Sequence, residues 1–108
     1  EKLIKENAVA LDIRLDNQWK KTGVIKGSFQ ETAFDINGKF NVYLMDKVRA
    51  LAGAESQKIE IIFISHDGKT AEILGNAFAE DLGFTNVYVL DGGMQSWINN
   101  NKPLEVYN

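Results

Sequence analysis

The chain has no cysteine among its 108 residues. Disulfides, thiolate metal sites and thiolate nucleophiles are therefore excluded. Histidine occurs once, at His66, so a histidine cluster cannot hold a metal. Met45 and Met94 are read as packing residues rather than ligands. No metal and no cofactor are expected. No apolar run approaches the roughly 18 residues of a membrane span. The first residues carry no signal-peptide pattern. The chain begins at Glu1 rather than Met, so a mature form and an excised domain both fit. Charge is also modest: 12 Lys and Arg face 15 Asp and Glu, a net charge of -3. That balance gives no global pull toward nucleic acid or an anionic membrane, although a local basic loop can still bind an anion.

What is present is ordinary for a globular protein, with 44% hydrophobic and 25% charged residues. The length suits one domain over residues 1–108 with a modest core. Ala8 to Ile13 reads as a short buried strand ending near an acid, Asp12. Ile59 to Ile64, rich in β-branched residues, is a second strand, and Val87 to Leu90 a third. Helical patterns lie between them. Val42, Met45, Val48 and Leu51 recur at three-residue spacing. Leu74, Phe78 and Leu82 form one stripe, with Ile73 and Ala77 beside it. Gly83 is placed as a C-cap of that helix. Met94, Trp97 and Ile98 mark a last helix, stopped before Pro103, the chain's single proline. Gly23 to Lys39 reads as an irregular connection with one short strand around Ser28 to Thr32. Trp19 and Trp97 are expected to pack, and Lys20-Lys21 to lie on a solvated turn. Alternating strands and helices predict an α/β domain with a mainly parallel sheet. Ligands in such folds sit at the carboxyl ends of strands. Asp12-Ile13-Arg14, Ser65 to Thr70 and Asp91-Gly92-Gly93 all fall there.

The segment Ser65-His66-Asp67-Gly68-Lys69-Thr70 follows the central apolar run. A helix starting near Lys69 turns its free N–H groups and its positive end toward this loop. Gly68 lets the backbone curl so that several N–H groups converge. An anion site is one reading; helix capping by Asp67 or Thr70 in a solvated loop is the other. Gly68-Lys69-Thr70 resembles the tail of a P-loop, but that motif needs glycine where Phe63 stands. A serine-hydrolase elbow is also absent, since Phe63 and Asp67 occupy its glycine positions. His66 is next to Ser65 in sequence, and adjacent residues on a turn rarely face each other.

Leu11-Asp12-Ile13-Arg14, then Trp19 and Gly23-Val24-Ile25-Lys26-Gly27-Ser28, resembles the opening of a rhodanese domain. Leu82-Gly83-Phe84-Thr85-Asn86-Val87-Tyr88-Val89-Leu90-Asp91-Gly92-Gly93, with Trp97 and Pro103, is similar to that family's closing segment. The resemblance implies an α/β fold with a five-stranded, mainly parallel sheet and helices on both faces. It also implies sulfurtransferase chemistry, in which a cysteine takes sulfane sulfur from a donor such as thiosulfate and passes it to a thiophilic acceptor. The nucleophile position falls on Ser65. The active-site loop continues through His66, Asp67, Gly68, Lys69 and Thr70, with Asp12 and Arg14 in support. The implied partners are a small anionic sulfur donor and a thiol or protein sulfur acceptor, with no nucleic acid and no membrane. A monomer or homodimer, soluble in cytoplasm or periplasm, is expected.

Ser65 departs from that pattern. A hydroxyl cannot form a persulfide, and it stays protonated without a strong base nearby. Two accounts stay open: serine replaces cysteine in an otherwise active enzyme, or the natural domain is non-catalytic and binds a partner protein or small anion through this loop. Many family members carry arginine where Thr70 stands. Here Lys69 is the loop's cation, and Asp67 adds a negative charge. The related phosphatases use C-x5-R in a longer loop; the corresponding residue is Ala71, which argues against phosphatase activity.

Overall fold

The structure, a computed structural model, describes residues 8–52, 59–81 and 86–107. Four parallel strands lie in the order β2-β1-β3-β4. In chain order, β1 is Ala8–Asp12, β2 Phe29–Gln30, β3 Glu60–Ile64 and β4 Val87–Val89. The helices are α1 (Asp16–Thr22), α2 (Leu44–Ala52), α3 (Lys69–Asp81) and α4 (Gly93–Asn99). The resemblance implies a fifth strand. Among the described residues four are present, and Val24 and Glu105 add an isolated antiparallel bridge. No helix among the described residues is long and apolar enough to cross a membrane. Leu82 and Gly83, read as the end and cap of α3, lie outside the described residues.

Strand β3 sits between β1 and β4, and Ile61 to Ile64 are all buried. A strand covered on both faces is apolar at every position rather than alternating. Side chains still leave it on opposite sides. Leu11, Ile61 and Phe63 face α2 and α3, where Leu44, Val48, Leu74 and Phe78 complete one core cluster. Phe63 and Phe78 meet edge to face at 5.0 Å. Ala10 and Ile64 face the other way, onto Ile25, Met94 and Trp97. Helices therefore cover both faces of the sheet.

Two boundaries differ from the sequence reading. The helix α1 has no counterpart in it. Its sequence, DNQWKKT, has a single apolar residue, so it lacks the periodicity that reveals a helix. Local bonds define it instead. The Leu15 N–H donates to Gln18 Oε1 at 3.0 Å, and Lys20 pairs with Asp16 four residues earlier at 3.0 Å. Lys20-Lys21 is thus solvated, but on the last turn of a helix rather than on a turn between elements. The second difference is at Val42, which precedes α2. It is 67% exposed, and the Tyr43 N–H beside it donates to Asn41 Oδ1.

Candidate functional site

The register of β1 against β3 sets the site. Asp12 pairs with Ile64, so Arg14 and Ser65 leave the carboxyl edge of the sheet as neighbours. The Ile13 N–H extends the ladder by donating to the Ile64 carbonyl at 2.9 Å. On the other side the Leu90 N–H donates to the Phe63 carbonyl at 3.0 Å, which delivers Asp91-Gly92-Gly93 to the same edge. The three strand ends that the sequence singles out are therefore brought together.

Ser65 is buried, with 4% of its surface exposed. Its Oγ accepts the N–H of Gly68 at 3.0 Å and of Ala71 at 3.2 Å. Donors left over at the start of α3 thus converge on one side-chain atom. Asp67 does cap the helix: its Oδ1 accepts the Lys69 N–H at 3.0 Å. Capping and convergence occur in the same loop, on different residues. Among the described residues, the N–H groups of His66, Asp67 and Thr70 meet no protein acceptor.

The loop is braced by α4. The Met94 N–H donates to the Ser65 carbonyl and the Gln95 N–H to the His66 carbonyl, each at 2.8 Å. Free donors of one helix end are thereby satisfied by the carbonyls of the loop. The approach is so close that only glycine fits between them. A Cβ on Gly93 would lie 2.5 Å from the Ser65 carbonyl oxygen and 2.6 Å from both Gly68 N and the His66 carbonyl oxygen. The sequence assigns Gly92-Gly93 to a tight turn; its contact with the loop is invisible without the fold.

Asp12 and Arg14 form a buried pair beside the loop. Arg14 Nε donates to Asp12 Oδ1 at 2.9 Å, and Nη2 to Oδ2 at 2.8 Å. The remaining guanidinium donors reach Thr22 Oγ1 at 2.9 Å and the Gly23 carbonyl at 3.1 Å. The pair therefore ties the end of β1 to the end of α1. A fork-to-fork carboxylate match of this kind is geometrically specific, and removing one member strands the other charge.

Above Ser65 opens a pocket of about 340 Å³. Ser65 and His66 line it from the loop, Thr70 from the start of α3, Arg14 from just after β1, and Gln18 from α1. Ile13, Leu15, Phe34 and Ile73 supply its apolar wall. Asp67, Gly68 and Lys69 are not in the lining: the first caps, the second packs against Gly92, and the third is exposed. The sequence reading does not single out Leu15, Gln18, Phe34 or Ile73 for this site. Phe34 lies in the irregular connection, and nothing in a periodic pattern points it toward Ser65.

The fold and this strand-end loop define a parallel α/β domain whose candidate ligand site is built on the turn from β3 into α3. Residues 1–100 match the family model of the rhodanese-like domain, and the chain belongs to that family. No curated protein matches it. Solved structures share the fold. A rhodanese-related protein from Thermoplasma volcanium is 22% identical, with a TM-score of 0.69 over 94% of this chain and 87% of that one. A rhodanese-like domain from Anabaena sp. is 19% identical, with a TM-score of 0.69 over 95% and 91%. A protein of unknown function from Rhodopseudomonas palustris, described as a possible tyrosine phosphatase, is 20% identical, with a TM-score of 0.67 over 93% and 72%.

Proposed function

We propose that the domain has the sulfur-carrying architecture of a rhodanese-type sulfurtransferase, with position 65 as the place of the nucleophile. The observation that carries this reading is the convergence of the Gly68 and Ala71 N–H groups on Ser65 Oγ. A thiolate on the same atom would be stabilised by both donors and by the positive end of α3. Ser65 keeps the shape of the site without the sulfur, so the chain with serine does not turn over sulfane sulfur. The donor is a small sulfur anion, and the acceptor is a thiol, free or on a protein.

Replacing Ser65 with cysteine tests the proposal. The Ser65→Cys protein, incubated with thiosulfate or a polysulfide, gains the mass of one sulfur atom and loses it to cyanide or a thiol. A folded Ser65→Cys protein that forms no persulfide with any sulfane donor refutes it. The second reading, a non-catalytic binding module, rests on Ser65 itself: the chain has no cysteine to carry the sulfur. The codon at position 65 of the natural gene separates the two. Cysteine there supports the enzyme, and serine supports the module.

A further inference from the structure

The pocket over Ser65 is poor in usable charge. Its one arginine, Arg14, is neutralised by Asp12 through bonds of 2.9 and 2.8 Å and is held by Thr22 and Gly23 as well. Lys69 lies outside the lining, and Thr70, inside it, is uncharged. The opposite wall is apolar. Ile73 is 67% exposed, a large aliphatic side chain in α3 that borders the pocket instead of joining the core cluster. Phe34 is held against Phe40 with ring centres 5.4 Å apart. The space, about 340 Å³, is roughly ten times the share of one liquid water. A small tetrahedral ion over Ser65 would occupy only its floor.

These features bear on the number of charges and on the body of the ligand. The free N–H groups at the start of α3, which are its positive end, offset about half a negative charge. Among the described residues the lining holds no lysine and no uncommitted arginine, and its one imidazole, His66, is exposed to water. A dianion would therefore leave water with little fixed charge to receive it, which is costly. An apolar body above the anion would cover Ile73 and Phe34 and gain by leaving water.

We propose that this pocket selects a singly charged organic sulfur donor with an apolar body over the inorganic thiosulfate dianion. Ile73 and Phe34 hold the body, and Thr70 keeps the charge count low. The inference rests on the reading of the loop as a sulfur-donor site. Aryl thiosulfonates, R–SO2–S⁻, have the required chemistry. With cysteine at position 65, the thiolate attacks the terminal sulfur and forms a new S–S bond. The old bond to the sulfonyl sulfur breaks, and its electron pair leaves with the sulfinate, R–SO2⁻. Two anions enter and two leave, with no external oxidant or reductant.

The test begins with the protein as it stands. Thiosulfate, methanethiosulfonate and benzenethiosulfonate are titrated against it by NMR of the loop amides. Affinity is expected to rise in that order, with benzenethiosulfonate about tenfold or more above thiosulfate. Ile73→Ala should weaken benzenethiosulfonate alone, and Thr70→Arg should strengthen thiosulfate. Thiosulfate binding as tightly as benzenethiosulfonate, or Ile73→Ala weakening all three equally, overturns the proposal. Kinetics of Ser65→Cys then separate the two layers. Absence of persulfide from every donor, with the binding order intact, removes the sulfur-transfer reading and leaves the pocket's preference standing. Persulfide formed from all three with equal kcat/KM removes the preference and leaves the sulfurtransferase.

Discussion

Replacing Gly93 with alanine should loosen the loop that carries Ser65, and the structure allows the cost to be worked out. Gly93 has φ +62°, where a side chain is disfavoured by about 1–2 kcal/mol. The new Cβ would also lie 2.5–2.6 Å from the Ser65 carbonyl oxygen, Gly68 N and the His66 carbonyl oxygen. All three are backbone atoms, so none can rotate away. Relief requires α4 and the loop to separate, which strains the Met94-to-Ser65 and Gln95-to-His66 bonds, both 2.8 Å. Each contributes about 1 kcal/mol. The expected loss is therefore about 3–4 kcal/mol, a large part of the stability of a small domain. Gly38 is the control, with φ +82° and, among the described residues, nothing within 4 Å of an added Cβ. Gly38→Ala should lose only the conformational part, about 1–2 kcal/mol. Urea unfolding followed by tryptophan fluorescence measures both. Equal losses in the two variants would show that the brace between α4 and the loop does not hold the site.

Other changes probe the supporting structure. Arg14→Met strands the Asp12 carboxylate, which is 0% exposed, and should cost about 3–5 kcal/mol in urea unfolding. Adding Asp12→Leu to it should recover part of that loss, and strict additivity would deny the pair. Trp97 Nε1 donates to the Pro103 carbonyl at 2.8 Å, whereas Trp19 Nε1 is buried without a partner among the described residues. Trp97→Phe should therefore cost about 1 kcal/mol more than Trp19→Phe; equal costs refute the assignment. The hydrogen bond to Asp16, and then its charge, raise the pKa of Lys20 above the ordinary 10.5. Because the folded value is the higher one, the stabilisation is present below pH 10.5 and fades as pH climbs through the raised value. NMR titration should show that value falling back in Asp16→Asn, and an unchanged value refutes the pairing.

The strands and the strand-end loop were legible because burial writes itself into apolar runs. Ala8–Asp12, Glu60–Ile64 and Val87–Val89 lie within one residue of the segments read from the sequence, and α3 begins at Lys69 as expected. What escaped was held by other forces. The helix α1 rests on a backbone-to-Gln18 bond and an exposed ion pair, so hydrophobic periodicity has nothing to report there. Val42 fits the helical spacing of α2 yet lies outside it, because Asn41 caps the preceding turn. The pocket wall is a product of tertiary structure. Phe34 comes from the irregular connection and Ile73 from α3, and only the fold brings both to the pocket over Ser65.

That division separates what the site binds from what it does. The cradle around position 65 is made of backbone N–H groups, two carbonyls braced by α4, and a glycine that only just fits. All of these are backbone groups, supplied by residues whose positions the sheet and α4 fix rather than by the side-chain atom at its centre. Ligand choice, by contrast, lies with Ile73, Phe34 and Thr70. Exchanging oxygen for sulfur at position 65 should therefore switch turnover on without reordering the ligands. The affinities of thiosulfate, methanethiosulfonate and benzenethiosulfonate for the serine protein should rank as their kcat/KM values do for Ser65→Cys. An inverted ranking would mean that the sulfur reshapes the cradle, and that the serine protein is not a faithful image of the reactive one.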